Sequence, residues 1–388
     1  MQWSDVLNKK TKIVLIIAGE ASADLHGANL VKAMKRLDPG IIFWGIGGKQ
    51  MASVGVRILI SSSDMAVVGL TEVIFRLHCI TRAYIKIKNI LKSTRPDLLI
   101  LIDYPDFNLR MAHIAKRNKV PVLYYISPQV WAWRKRRVNK IARRVDRMAV
   151  ILPFEKSVYR NKGMEVEYVG HPIIDSIPDK PGKNAILNEM GLKSGYPVLG
   201  LLPGSRREEI RNLLPLMIGA VEILSARYNN LKCILPIAST VSPDIVHSMV
   251  RQSSVEIKIS EGNIRKTLAA CDLALVTSGT ATLETAIMEI PMVIVYRVSP
   301  ISFLIGKMLV KVSNIGLVNL VAGEEVVPEL IQKEVTPLRL SNEAISILEH
   351  DHRKKNIINK LKMVKQRLGR GGASERTAKI AIEMLRYT

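Results

Sequence analysis

Short apolar runs alternate with longer amphipathic stretches along almost the whole chain, and no other feature restricts its fold so tightly. Strand candidates lie at 12–18, 42–46, 98–103, 121–126, 147–152, 166–169, 197–202, 232–236, 255–259, 272–277 and 292–296. Helix candidates lie between them, for example at 24–37, 82–92, 108–118, 209–227 and 281–288. Strands this continuously apolar suit burial on both faces. Their alternation with helices predicts an α/β protein with parallel, doubly wound sheets. The alternation breaks at about 172–184, where Pro172, Pro178, Pro181 and Gly182 suit a linker. Two Rossmann-like domains facing a cleft are therefore expected, spanning 1–175 and 184–369. Ligands would sit at the carboxyl ends of their strands.

The 388 residues suffice for two full cores. Net charge is 57 − 34 = +23, which calls for an anionic partner or surface. A mean hydropathy of +0.14 is high for so basic a chain. That pairing favours a membrane surface over nucleic acid, because lipid rewards charge and apolar area together. Only 5% of residues are aromatic, so base stacking is not favoured. Cys79, Cys233 and Cys271 lie far apart, which predicts neither a zinc site nor a disulfide framework. Lys9, Lys10 and Lys12 before Ile13–Ala18, with Ala21-Ser22-Ala23 beyond, imitate a signal peptide. The run is short and Glu20 interrupts it, so a first strand entering a loop is the better reading. No run of 18 apolar residues occurs, so no bilayer-spanning segment is expected.

Several strand ends carry chemistry. In LVTSGTATLETA, 275–286, an apolar run stops at Ser278-Gly279-Thr280-Ala281, with Glu284 one helical turn on. A strand that ends in small residues and enters a helix offers backbone N–H groups to an anion. Glu284 is then placed to take a ribose diol. In LGLLPGSRREEI, 199–210, Gly204 and Ser205 let backbone approach a ligand and Arg206 can neutralise a phosphate. One diphosphate touching both segments is the stronger reading of the pair.

In LLILIDYPDFN, 98–108, Asp103 ends a buried strand, where a carboxylate is costly unless it is used or paired. Partial burial would raise its pKa towards a general base's working range. The alternative is a helix cap, although Asp106 and Asn108 lie nearer that helix. In AGEASADLHG, 18–27, Glu20, Ser22 and Asp24 would face the ligand, unless Ser22 or Asp24 merely caps the helix. Asn319 lies in an apolar run, so its amide needs partners, from ligand or from structure.

Two stretches suit a membrane surface. Across 125–148 the second half reads as an amphipathic helix, with Arg136, Lys140, Arg143, Arg144 and Arg147 on one face, which suggests contact with a lipid headgroup or a substrate phosphate unless the face is merely solvated. Trp131 and Trp133 are either core or the lining of an acyl groove. Across 65–91 the apolar positions Val67, Val68, Leu70, Val73, Ile74 and Leu77 sit among Arg76, Arg82, Lys86 and Lys88, as in an interfacial helix. An ordinary core helix would show the same spacing. No D-x-D, P-loop or G-x-G-x-x-G occurs, which argues against chelated metal-diphosphate, ATP and NAD.

Taken together, AGEASAD, MAVVGLTEV, IDYPDFN, YISPQVWAWRKRRV, LPFEK, VGHPIID, LLPGSRREEI, TSGTATLE and NLVAGEE resemble the lipid-A-disaccharide synthases over residues 12–335. Each is weak alone; their number and order carry the resemblance. It implies a GT-B fold and an inverting, metal-independent glycosyl transfer. The donor would be UDP-2,3-diacylglucosamine and the acceptor 2,3-diacylglucosamine 1-phosphate, giving the β-1,6-linked disaccharide 1-phosphate and UDP. Asp103 matches the family's essential aspartate. Gly204, Ser205, Arg206, Ser278, Gly279, Thr280, Ala281, Glu284 and Asn319 would hold the donor, and Glu20, Ser22 and Asp24 the acceptor. Residues 1–175 would then be the acceptor-binding, membrane-facing domain, joined by a helix at about 370–388, and 184–369 the UDP-sugar domain. A cytoplasmic enzyme on the inner face of the cytoplasmic membrane is expected, with an anionic membrane surface as partner, no nucleic acid, and a possible homodimer. One departure stands out: Ala23 replaces the family's glycine in A-G-E-x-S-G-D, which would matter if that position needs a positive φ. The basic segment 353–370 is either a second headgroup contact or a solvated helix. The rival within the same fold is a UDP-N-acetylglucosamine 2-epimerase or another lipid-directed transferase.

Overall fold

The structure is a computed structural model that describes residues 11–65, 73–133, 137–160, 162–176, 182–237, 241–262, 264–299, 303 and 314–387. The chain divides into two compact units, Met1–Asp175 with Arg370–Thr388, and Ser176–Gly369.

The first unit is built on seven strands: β1 (Ile13–Ala18), β2 (Ile42–Gly47), β3 (Arg57–Ser61), β4 (Leu98–Ile102), β5 (Val122–Tyr125), β6 (Arg147–Val150) and β7 (Glu165–Tyr168). Their order is β3-β2-β1-β4-β5-β6-β7, and every pairing is parallel. β4 is buried at every position, as its unbroken Leu and Ile run requires. The chain winds outward from β1 through β2 to β3, then returns to β4 on β1's other side. That reversal sets the carboxyl ends of β1 and β4 side by side, with Ala18 in register with Ile102. Helix Ala373–Arg386 returns to this unit and packs along helix Ala21–Leu37. Arg36 and Glu375 pair at 2.7 Å, and Arg376 donates to Val169 O at 2.8 Å.

The second unit carries β8 (Val198–Leu202), β9 (Lys232–Ile237), β10 (Ile257–Glu261), β11 (Leu273–Thr277), β12 (Met292–Tyr296) and β13 (Glu329–Ile331). Their order is β10-β9-β8-β11-β12-β13, again all parallel. The reversal here falls between β8 and β11, whose ends Leu202 and Val276 are in register.

Two expectations change. The basic stripe of 136–147 is not one helix. Helices Val130–Trp133 and Arg137–Ala142 are followed by a turn and by β6, which begins at Arg147. The helical period runs on through Arg147, but pairing of β6 with β5 and β7 overrides it. Arg147 therefore leaves the stripe and binds Glu165, Glu167 and Glu383. Arg136 and the side chain of Trp133 lie outside the described residues. Trp131 is core: its Nε1 donates to the buried Glu155 at 3.3 Å, and its ring meets Phe154 edge-on. Ala23 is the second correction. It is buried in helix Ala21–Leu37 with helical backbone, so no positive φ is demanded of it.

Helix Val73–Ser93 packs on the core through Ala83, Ile87 and Leu91. Val67, Val68 and Leu70, and the side chains of Val73, Ile74 and Leu77, lie outside the described residues. Among the described residues no helix is long and apolar enough to cross a membrane.

Candidate active site

In the first unit, the reversal of winding brings two loops together: Gly19-Glu20 after β1 and Asp103-Tyr104 after β4. Asp103 and Tyr104 both adopt left-handed backbone, φ +45° and +46°. For residues with a Cβ this costs on the order of 1–3 kcal/mol each, a strain typical of functional sites. Pro105 then opens helix Pro105–Arg117, where its fixed φ and missing N–H do no harm. The turn is braced from several sides. The Tyr104 hydroxyl donates to Met65 O at 3.2 Å. The Tyr104 ring lies over Gly19, where any Cβ would come within 2.7 Å of it. Glycine at 19 is thus required by the neighbour of Asp103.

The Asp103 carboxyl is half-buried, and its pKa is pushed up to about 6. Desolvation is the main cause and the negative charge of Glu20 the next; a backbone N–H at Tyr104 opposes them. Glu20 precedes helix Ala21–Leu37 without capping it, so its carboxylate is exposed and not consumed by the fold. Ser22 is exposed on that helix's first turn. Asp24 has a structural task. It is buried, and its carboxylate accepts from Gly48, Gln50 and Met51 N–H at 2.6, 3.0 and 3.1 Å. It caps the neighbouring helix Lys49–Ser53 and not its own.

In the second unit both phosphate-type loops end adjacent strands at the reversal, and Thr277 Oγ1 donates to Pro203 O at 3.3 Å to join them. Gly204 has φ +117°, and a Cβ there would lie 2.7 Å from that of Glu209 and overlap its carboxylate. Glu209 accepts from Ser205 N–H at 3.0 Å and Arg206 N–H at 3.2 Å, closing the start of helix Arg207–Ser225. Arg206 extends outward with its side chain 82% exposed, in loose contact with Glu209 at 3.4 Å. Gly279 turns the chain into helix Thr280–Ile287, whose first N–H groups, at Thr280 and Ala281, have no earlier helical carbonyl to bond. Glu284 lies on the same helix, paired with Arg265 at 3.2 Å. Burial raises its pKa, and Arg265 counters the rise.

Ser278 and Asn319 join through a network not foreseen from the sequence. Ser278 Oγ donates to Ile315 O at 3.0 Å. Ile315 and Gly316 N–H donate to Glu329 at 2.7 and 3.0 Å. Asn319 donates to Glu329 and to Val327 O at 2.8 and 2.9 Å, and accepts from Val326 and Val327 N–H at 2.8 and 3.1 Å. Its amide is satisfied within the fold, the structural side of the alternative posed above. Glu329 is the hub. Its only signal in the sequence is a carboxylate inside the apolar stretch VVPEL; Arg265 has none, because only the tertiary fold sets it against Glu284.

Two parallel, doubly wound sheets, each reversing its winding beside strand-end loops, are the architecture of the GT-B class. Solved structures agree on the fold. UDP-GlcNAc 2-epimerase from Neisseria meningitidis bound to UDP-GlcNAc superposes with a TM-score of 0.66 at 12% identity, covering 97% of this chain and 100% of that one. A glycosyltransferase from Rickettsia africae gives a TM-score of 0.61 at 12% identity, covering 98% of this chain and 100% of that one. The family model for lipid-A-disaccharide synthetase matches residues 14–383. Lipid-A-disaccharide synthase from Geobacter sulfurreducens is 46% identical over 372 residues, 96% of this chain and 97% of that protein. That from Coxiella burnetii (strain Dugway 5J108-111) is 40% identical over 374 residues, 96% and 99%. The chain belongs to the lipid-A-disaccharide synthase family. It is a glycosyltransferase of lipid A biosynthesis that uses a UDP-sugar and lipid-linked substrates.

Proposed function

We propose that Asp103 is the general base that takes the proton from the acceptor's 6-hydroxyl as that oxygen attacks the donor's anomeric carbon. The new C–O bond forms as the bond to the UDP oxygen breaks, and the configuration inverts. The observation that carries this reading is the Asp103 carboxyl itself. It is held at a strained strand end, beside Glu20, with a pKa of about 6. A base poised there is ionised at neutral pH yet still basic enough to accept a proton in the transition state.

In the same reading UDP lies on the second unit. The N–H groups of Thr280 and Ala281, with Ser278 and Gly279, receive the diphosphate, as do Gly204, Ser205 and Arg206. Arg206 offsets the charge that develops on the leaving UDP. Glu284, oriented by Arg265, takes the ribose hydroxyls. Asn319 acts through Glu329 by fixing the 315–316 loop on which Ser278 leans. On the first unit Glu20 and Ser22 meet the acceptor, and Asp24 supports them by holding the start of helix Lys49–Ser53. The donor is UDP-2,3-diacylglucosamine and the acceptor 2,3-diacylglucosamine 1-phosphate, presented at an anionic membrane surface by a peripheral homodimer on the cytoplasmic face; Val67, Val68, Leu70, Val73, Ile74 and Leu77 are its proposed apolar contact. UDP release is the test, measured from that donor in detergent with and without the acceptor, and with chelator. Acceptor-dependent release that survives chelation is expected. Release that ignores the acceptor would refute transfer to it, and loss with chelator would refute the metal-independent step.

A further inference from the structure

Two buried side chains to which the proposed chemistry gives no role converge on one atom of the loop after β4. The Asp103 carbonyl oxygen accepts from the Tyr124 hydroxyl and from the Asn108 amide, each at 2.6 Å. Tyr124 comes from the adjacent strand β5 and Asn108 from helix Pro105–Arg117; both residues are fully buried. The Asn108 amide also reaches Ile102 O at 3.2 Å, so it spans the last strand residue and the first left-handed one.

Asn108 is retained at a cost. Its Oδ1 is buried with no hydrogen-bond partner. An unsatisfied buried acceptor weakens a fold, and an apolar side chain of similar shape would avoid the loss. The donor half of the amide is what remains to justify the residue, and it points at the Asp103 peptide. That peptide needs support. Backbone at φ +45° and +46° relaxes out of the left-handed region unless its surroundings over-determine it. Relaxation there would rotate the Asp103 Cα–Cβ bond and swing the carboxyl away from Glu20.

We infer that Tyr124 and Asn108 are positioning residues: by donating to the Asp103 carbonyl oxygen they hold the left-handed turn that aims the Asp103 carboxyl. The inference rests on reading Asp103 as the base. Loss of either donor lowers the fraction of enzyme with the carboxyl in line, so turnover falls while donor binding, on the other unit, does not. Among the described residues, the charged and titratable groups around this turn are Glu20 from the start of helix Ala21–Leu37, Tyr104 beside it, Asp106 in the first turn of helix Pro105–Arg117 and Tyr124 from β5. A carboxyl that swings out leaves both burial and Glu20, so the acid limb of the pH profile moves to lower pH.

The test is Tyr124→Phe in the full chain, with kcat, donor KM and the pH profile of kcat/KM. Turnover should fall about tenfold or more, with donor KM held within about twofold. The acid limb should shift down. Asn108→Ala carries the same expectation and serves if Tyr124→Phe does not fold. In an Asp103→Asn background, Tyr124→Phe should lower the residual rate no further. Wild-type turnover and pH profile in Tyr124→Phe, or an equal extra loss in the Asp103→Asn background, would overturn the inference. If Asp103→Asn alone transfers normally, the base reading falls. If Asp103→Asn is inactive while Tyr124→Phe is normal, only the positioning role falls.

Discussion

Asp103→Asn should cut transfer to a small residual rate and stabilise the protein, and both effects follow from one carboxyl. In the folded chain its pKa is about 6, against an ordinary value of 3.8. The native state thus holds the proton more tightly than the unfolded state does. The sign is fixed by that order: between 3.8 and 6 the native state binds more protons, so stability falls as pH rises. Above pH 6 the ionised carboxylate costs about 2.2 pKa units at 1.36 kcal/mol each, or about 3 kcal/mol. At pH 5 the cost is roughly half that, because most native molecules are still protonated. Asparagine keeps the shape and cannot ionise. Asp103→Asn should therefore raise the unfolding temperature at pH 8 by several degrees, and by clearly less at pH 5. Acceptor-dependent UDP release and thermal unfolding at the two pH values check both halves. An active variant would refute the base. A destabilised variant, or a gain in stability that ignores pH, would refute the account of why the carboxyl is poised.

Further outcomes follow from the same geometry. In the wild type kcat/KM should rise with an acid limb near pH 6, and Glu20→Gln should move that limb to lower pH by removing a negative charge; a limb that stays put would separate Glu20 from Asp103. Gly204→Ala must displace Glu209 from the start of helix Arg207–Ser225, costing on the order of 1–2 kcal/mol and weakening UDP binding, which calorimetric titration with UDP would show. Asn319→Ala strips four hydrogen bonds from a buried loop and should destabilise the protein by roughly 2–4 kcal/mol in denaturant titration, whereas Arg206→Ala, at an exposed side chain, should weaken UDP binding with stability changed by less than about 0.5 kcal/mol.

What the sequence alone determined is the set of elements and the loops that end them. Every strand candidate is a strand, and the densest Val, Ile and Leu runs, as in β1, β4, β8 and β11, are buried in the middle of the sheets. β3 and β13 carry weak signals in the sequence: one begins with an arginine and is half-exposed, and the other has three residues. Asp103, Gly204 and the 278–281 segment were legible because each interrupts an apolar run with residues that cost stability there. Tertiary structure decided what those loops meet. Glu20 lies beside Asp103, and Pro203 beside Thr277, only because the winding reverses between β1 and β4 and between β8 and β11. No local pattern encodes such a reversal, since parallel strands can be ordered many ways with the same periodicity. The same limit hid the brace of Tyr124 and Asn108, the pairing of Arg265 with Glu284, and the end of the basic stripe at β6. Asn108 lies only five residues from Asp103, but its geometry is set by the left-handed turn between them; the other contacts join separate segments of the chain and are chosen by the packing of the sheet.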